Sequence, residues 1–164
     1  KEGYDRGWSL ATTKIRRNLT SPLCSIKAGN YLDNILAKAE AEGKGAKEAL
    51  FLNTKGSIAE GTMSNIFFVR EGRLITPDTK SGLLPGITRR LVLEIAQELA
   101  IPIEEREVYS EELVGIKEMF ITSSLLEIMP VTRLDGQPIH DGRSGEITEL
   151  LQREYKKIIQ SDCY

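Results

Sequence analysis

Two dipeptides constrain the fold of this chain more than any others: Asp135-Gly136, flanked by 129–134 and 137–140, and Glu71-Gly72, flanked by 65–69 and 73–76. A two-residue connection of this kind needs positive φ at both positions, so each pair predicts a tight antiparallel hairpin with a fixed register. Around these hairpins the pattern switches between strand and helix. Residues 8–17 are β-prone through Thr12, Thr13 and Ile15 and stop at Asn18 and Pro22. Tyr31, Leu32, Ile35, Leu36 and Ala39 then recur at helical spacing. A short buried strand at 49–53 runs into the turn Thr54-Lys55-Gly56, and a second helix opens near Thr88 with Leu91, Val92, Ile95, Ala96 and Leu99 on one face. Strand signal returns at 101–108 and 119–122, with a short capped turn at Ser110, Glu112 and Leu113 between them. Ile147, Leu150, Leu151 and Tyr155 mark a closing helix. The middle third reads as a β-meander.

Mixed elements of this kind predict an α/β (α+β) domain around a single core. With 164 residues, 40% of them apolar and 28% charged, residues 1–164 are expected to form one domain. The 22 basic and 24 acidic residues leave no basic stripe that could track a phosphate backbone, so nucleic acid is not an expected partner. A membrane partner is not expected either. No apolar run reaches 18 residues and the first residues lack a signal-peptide centre, which predicts a cytoplasmic chain. Cys24 and Cys163 lack the spacing of a metal or redox pair, and His140 is the one histidine. Metal binding and Ser-His-Asp hydrolysis therefore have no support.

The chemistry-bearing residues fall in loops. Lys27, in Ser25-Ile26-Lys27-Ala28-Gly29-Asn30-Tyr31, lies just before the first helix between apolar neighbours, where a lysine can lose its proton and act as a nucleophile; it can also be an ordinary surface lysine. Tyr31 is expected one helical turn on, offering a hydroxyl to a ligand, or else packing as a core aromatic in the Leu32, Ile35, Leu36 stripe. Glu60, with Gly61, Thr62, Ser64 and Asn65, reads as a carboxylate in a small-residue turn. It could hold a ring nitrogen protonated or simply face solvent. Leu84-Pro85-Gly86-Ile87-Thr88-Arg89 runs into a helix start, where free N–H groups and the helix dipole favour an anion, unless Thr88 merely caps its helix. Ile121-Thr122-Ser123-Ser124 brings further hydroxyls to a strand end.

In this order the segments resemble the class IV aminotransferases, the fold type IV pyridoxal phosphate enzymes that include branched-chain and D-amino acid aminotransferases and aminodeoxychorismate lyases. The resemblance rests on Lys27-Ala28-Gly29-Asn30-Tyr31-Leu32, Glu60-Gly61 with Ser64-Asn65-Ile66-Phe67, Thr76-Pro77, and Leu84 through Arg89. It continues through Glu118-Met119-Phe120-Ile121-Thr122-Ser123 and Glu127-Ile128-Met129-Pro130-Val131 to Asp135-Gly136. It runs from Ser9 to about Tyr155. It implies a pseudo-barrel-like β domain with flanking helices, as in the cofactor domain of D-amino acid aminotransferase-like enzymes, and pyridoxal 5'-phosphate as cofactor.

By the same resemblance, Lys27 matches the Schiff-base and proton-shuttling lysine, Glu60 the partner of the pyridine nitrogen, and Tyr31 the residue near the ring hydroxyl. Ser64 falls among the cofactor contacts. Ile87, Thr88 and Ser124 match phosphate donors, and Leu125 the position whose backbone amide meets the substrate carboxylate. Amino transfer between a branched-chain or D-amino acid and a 2-oxo acid is the implied reaction, in a homodimer. A lyase on the same site and a non-catalytic cofactor domain are the alternatives. Ser123-Ser124-Leu125 replaces the Gly-Thr-Ala of branched-chain enzymes, which predicts a narrower substrate pocket. The family's smaller N-terminal domain, with its phosphate-binding arginine, has no match here, so the chain is expected to be the large cofactor domain alone.

Overall fold

The computed structural model describes residues 7–161. Cys163 lies outside them. Among the described residues nine strands form one sheet: β1 (Trp8–Arg17), β2 (Glu48–Asn53), β3 (Ile58–Gly61), β4 (Asn65–Arg70), β5 (Arg73–Pro77), β6 (Ile103–Arg106), β7 (Glu118–Ser123), β8 (Glu127–Leu134) and β9 (Gln137–Pro138). Three helices flank it: α1 (Leu32–Gly43), α2 (Ile87–Glu98) and α3 (Glu146–Ser161). Both hairpins form as the dipeptides require, with φ of 52° and 74° at Glu71 and Gly72, and 48° and 77° at Asp135 and Gly136.

The strand order is β3-β2-β1-β8-β7-β4-β5-β6, with β9 paired to β8. The middle third is therefore not a meander. β2 pairs with β3 and β4 with β5, but β4 leaves its predecessor to pair with β7, so the two hairpins lie in different parts of the sheet. β3 is only four residues long, and the Gly61 N–H donates to the Ser64 carbonyl in the turn that follows it. The sheet then curls almost shut. β3 and β6 end the strand order, yet the Ile58 N–H donates to the Val108 carbonyl at 2.7 Å, and Ser57 bridges Tyr109 beyond β6. This is the half-barrel expected of the resemblance.

Strand alternation divides the apolar residues into three clusters. Leu10, Leu50, Ile58, Ile66, Phe68, Met119, Ile121 and Val131 fill the inside of the curl. Outside it, Phe67 and Phe120 stack with ring centroids 4.8 Å apart beneath α2 and α3, in contact with Val92, Ile95 and Leu151. Under α1 the layer is thinner: Ala11, Ala49, Phe51 and Ala59 from the sheet meet Ala37 and Ala41.

That thin layer reverses the reading of α1. The helix forms where its spacing predicts, but its Leu32, Ile35, Leu36 stripe faces outward, at 66, 61 and 51% exposure. Only an alanine face fits against a strand surface itself made of alanines, so the bulky residues turn away.

A carboxylate between two elements fixes the other end of the domain. Glu118 on β7 accepts hydrogen bonds from the Ile147 N–H, the Thr148 N–H and the Thr148 hydroxyl, satisfying the first turn of α3.

Candidate active site

The site lies outside the curled sheet, in the gap between the first turns of α1 and α2. Asn65 and Thr122 are paired across β4 and β7 and alternate with Ile66 and Ile121, which point into the curl, so both face outward toward the gap. A cavity of about 530 Å³ opens there. Lys27, Tyr31, Glu60, Ser64, Ile87, Thr88, Ser124 and Leu125 all line it, although they are scattered over some hundred residues of sequence.

Several of them sit differently from expectation. The segment from Lys27 to Tyr31 is not helical; Tyr31 is the N-cap of α1 and Lys27 precedes it in an extended loop, so the pair does not share a helix face. The short helical turn Pro22–Ser25, capped by the Ser21 hydroxyl, launches this loop. Tyr31 is also 39% exposed, which excludes a core role among the described residues.

Glu60 is not in a turn. It is the penultimate residue of β3, opposite Phe51, and only 8% exposed. Its Oε1 lies 3.1 Å from Arg17 Nη2, and its Oε2 accepts from the Leu84 N–H at 3.0 Å. Burial outweighs both contacts and pushes the carboxyl up to about 7.

The α2 end of the cavity is an open helix start. Gly86 is the N-cap and supplies no side-chain cap, while buried Thr88 lies inside the helix rather than capping it. Asn65 clamps the approach: its Oδ1 accepts from the Gly86 N–H and its Nδ2 donates to the Leu84 carbonyl. A Cβ at Gly86 would stand 2.4 Å from Asn65 Oδ1, so the clamp requires glycine. The Ser64 and Thr122 hydroxyls, both buried and both lining the cavity, have no hydrogen-bond partner among the described residues. Open helix N–H groups and two orphaned hydroxyls fit an anionic ligand.

Leu125 stands at the mouth of the cavity with 89% of its surface exposed. Sequence reasoning passed over Arg17 and Asn34, and met Asn65 only as a small residue beside Glu60. Arg17 shares a strand face with Ala11, Thr13 and Ile15, and a cation ending that otherwise apolar alternation was the signal available.

A curled sheet here presents a loop lysine, a buried carboxylate and an uncapped helix start to one cavity. Residues 2–134 match the family model for class IV amino-transferases, and the chain belongs to that family. It is 40% identical over 155 residues to a putative branched-chain-amino-acid aminotransferase of Methanocaldococcus jannaschii, covering 93% of this chain and 53% of the relative. The crystal structure of the Escherichia coli branched-chain amino acid aminotransferase superposes with a TM-score of 0.92 at 34% identity, over 95% of this chain and 52% of that one. The branched-chain enzyme of Thermobaculum terrenum in its PLP form gives 0.90 at 39% identity, over 94% and 52%. The chain spans about half the length of the relatives it matches.

Proposed function

We propose that residues 1–164 are the cofactor domain of an enzyme that uses pyridoxal 5'-phosphate to move an amino group from a branched-chain amino acid to a 2-oxo acid. One observation carries the reading: Lys27, Glu60 and the uncapped start of α2 with its orphaned hydroxyls open onto the same cavity. When bound, the cofactor supplies an electrophilic aldehyde and an electron-withdrawing ring. Ile87, Thr88, Ser64 and Ser124 would hold its phosphate end, Tyr31 its ring hydroxyl and Glu60 its ring nitrogen. The Lys27 amine would engage the aldehyde and, once displaced by substrate, move the proton at the substrate α carbon. The Leu125 amide would orient the substrate carboxylate. Ile26, Met63 and Leu125 make the mouth apolar, and the relatives named above are branched-chain enzymes, which together favour an aliphatic amino donor. Substrate-side groups from polypeptide outside this chain and a cytoplasmic homodimer belong to the same reading.

Borohydride reduction after loading with the cofactor tests it. The expected product is one cofactor-sized mass increase on the peptide containing Lys27, absent in Lys27→Ala. Labelling spread over surface lysines, or none on Lys27, overturns the proposal. A screen of donors on the complete enzyme should then favour leucine, isoleucine and valine over D-alanine.

A further inference from the structure

Glu60 is held by more than its own strand. Arg17 ends β1, and its guanidinium crosses the Phe51 ring on β2, 3.9 Å from the centroid, to reach Glu60 on β3. The Thr54 N–H donates to the Arg17 carbonyl and pins the backbone. From the other side, Arg17 Nη1 donates to Asn34 Oδ1 at 3.0 Å, and Asn34 Nδ2 donates in turn to the Thr62 carbonyl, two residues past Glu60. Thr62 is itself tied down, its N–H and hydroxyl both donating to buried Glu48. Asn34 stands in the first turn of α1, the helix that the Lys27 loop enters.

We propose that Arg17 and Asn34 are a positioning pair: Arg17 supplies the countercharge for Glu60, and Asn34 fixes Arg17 while tying the carboxylate to the helix that follows Lys27. Neither residue touches the reacting atoms in this scheme; both act through Glu60. The inference rests on the reading of Glu60 as the ring-nitrogen partner, but its physical content concerns the protein alone. The arginine is 14% and the glutamate 10% exposed at the side chain, so the pair interacts away from bulk water. A carboxylate so buried is costly without its cation and neutralises instead.

The charged and titratable groups on every side argue for this division of labour. Arg17 comes from β1, Cys24 from the short turn before Lys27, and Asp33 from α1; burial and the nearby Glu60 and Asp33 push the Cys24 thiol up, with Arg17 opposing them. Lys27, Lys38, Glu48 and Arg89 line the same cavity, but Arg17 is the cation in ion-pair contact with Glu60 among the described residues. The loop before α2 contributes a backbone N–H, not a charge.

The experiment is a carboxyl-carbon NMR titration of Glu60 in the cofactor-free chain, the resonance being assigned with Glu60→Gln. Arg17→Met is expected to move the Glu60 midpoint upward by more than about one pH unit, the scale of a lost adjacent countercharge. Asn34→Ala should move it in the same direction by about half a unit, and Asn34→Asp, which sets a second carboxylate against Arg17, should move it upward by at least as much. Should Arg17→Met fold poorly, the Asn34 pair alone decides. Midpoints unchanged in Arg17→Met, or an Asn34→Ala that lowers melting temperature with the Glu60 midpoint intact, would reject a positioning role. Borohydride labelling of Lys27 in the same variants separates the two claims: shifted midpoints without Lys27 labelling leave the pair standing and remove the cofactor reading.

Discussion

At the residue scale, Glu60 shows how a short strand can hide a buried carboxylate. Its folded state favours the protonated carboxyl, because burial raises it to about 7 from an ordinary value of 4.5. The contribution to stability is therefore fully present below about pH 4.5 and is lost as pH rises through about 7. Glu60→Gln removes this titration. Between about pH 5 and about pH 8, the cofactor-free wild-type chain should lose up to about 3 kcal/mol of unfolding free energy relative to Glu60→Gln. Urea denaturation at the two pH values measures it, and parallel pH dependence in the two proteins would show that burial does not govern the carboxyl. Lys27 and the Gly86-Ile87-Thr88 start were legible because each signal is local: a lysine in a small-residue loop, and glycine before a helical run. Glu60 was legible as a carboxylate but not as a buried one, since four residues are too few for period-2 alternation to stand out. Arg17 and Asn34 depend on three strands and a helix meeting, which no local window contains.

At the element scale, periodicity found α1 and gave it the wrong buried face. Hydrophobicity says which side of a helix prefers burial, whereas the partner surface decides which side fits. Here that surface is Ala11, Ala49, Ala59 and Phe51, and Ala37 is 0% exposed against it. Two substitutions separate the alternatives in the 164-residue chain. Ala37→Leu adds volume to a closed layer and should cost about 1–3 kcal/mol. Leu36→Lys, on the outward stripe, should change stability by no more than about 0.5 kcal/mol. Denaturant midpoints read both; a severe loss for Leu36→Lys with a neutral Ala37→Leu would restore the stripe as the buried face. The hairpins, by contrast, were legible to the residue, because positive φ at Glu71-Gly72 and Asp135-Gly136 depends on the dipeptide itself.

At the scale of the molecule, strand order and closure were beyond local reading, because β1 lies between β2 and β8, whose residues are distant in the chain. The curl has a consequence for the surface. By packing α2 and α3 on one outer face and the alanine side of α1 on another, it leaves Leu32, Ile35 and Leu36 as one apolar ridge, with Leu23 and Ile26 exposed on the approach to Lys27. Residues at i, i+3 and i+4 share a helix face, so this ridge is a single contiguous contact surface. A homodimer, proposed above, gives such a ridge a use. The 164-residue chain should then show concentration-dependent self-association in sedimentation velocity, and the triple substitution of Leu32, Ile35 and Leu36 to Ser should abolish it. Because those side chains lie outside the clusters that hold the domain together, the triple variant should melt within about 4 °C of the parent. Association that persists in the triple variant would move the contact away from α1, and a monomeric parent at all concentrations would remove self-association as the use of the ridge.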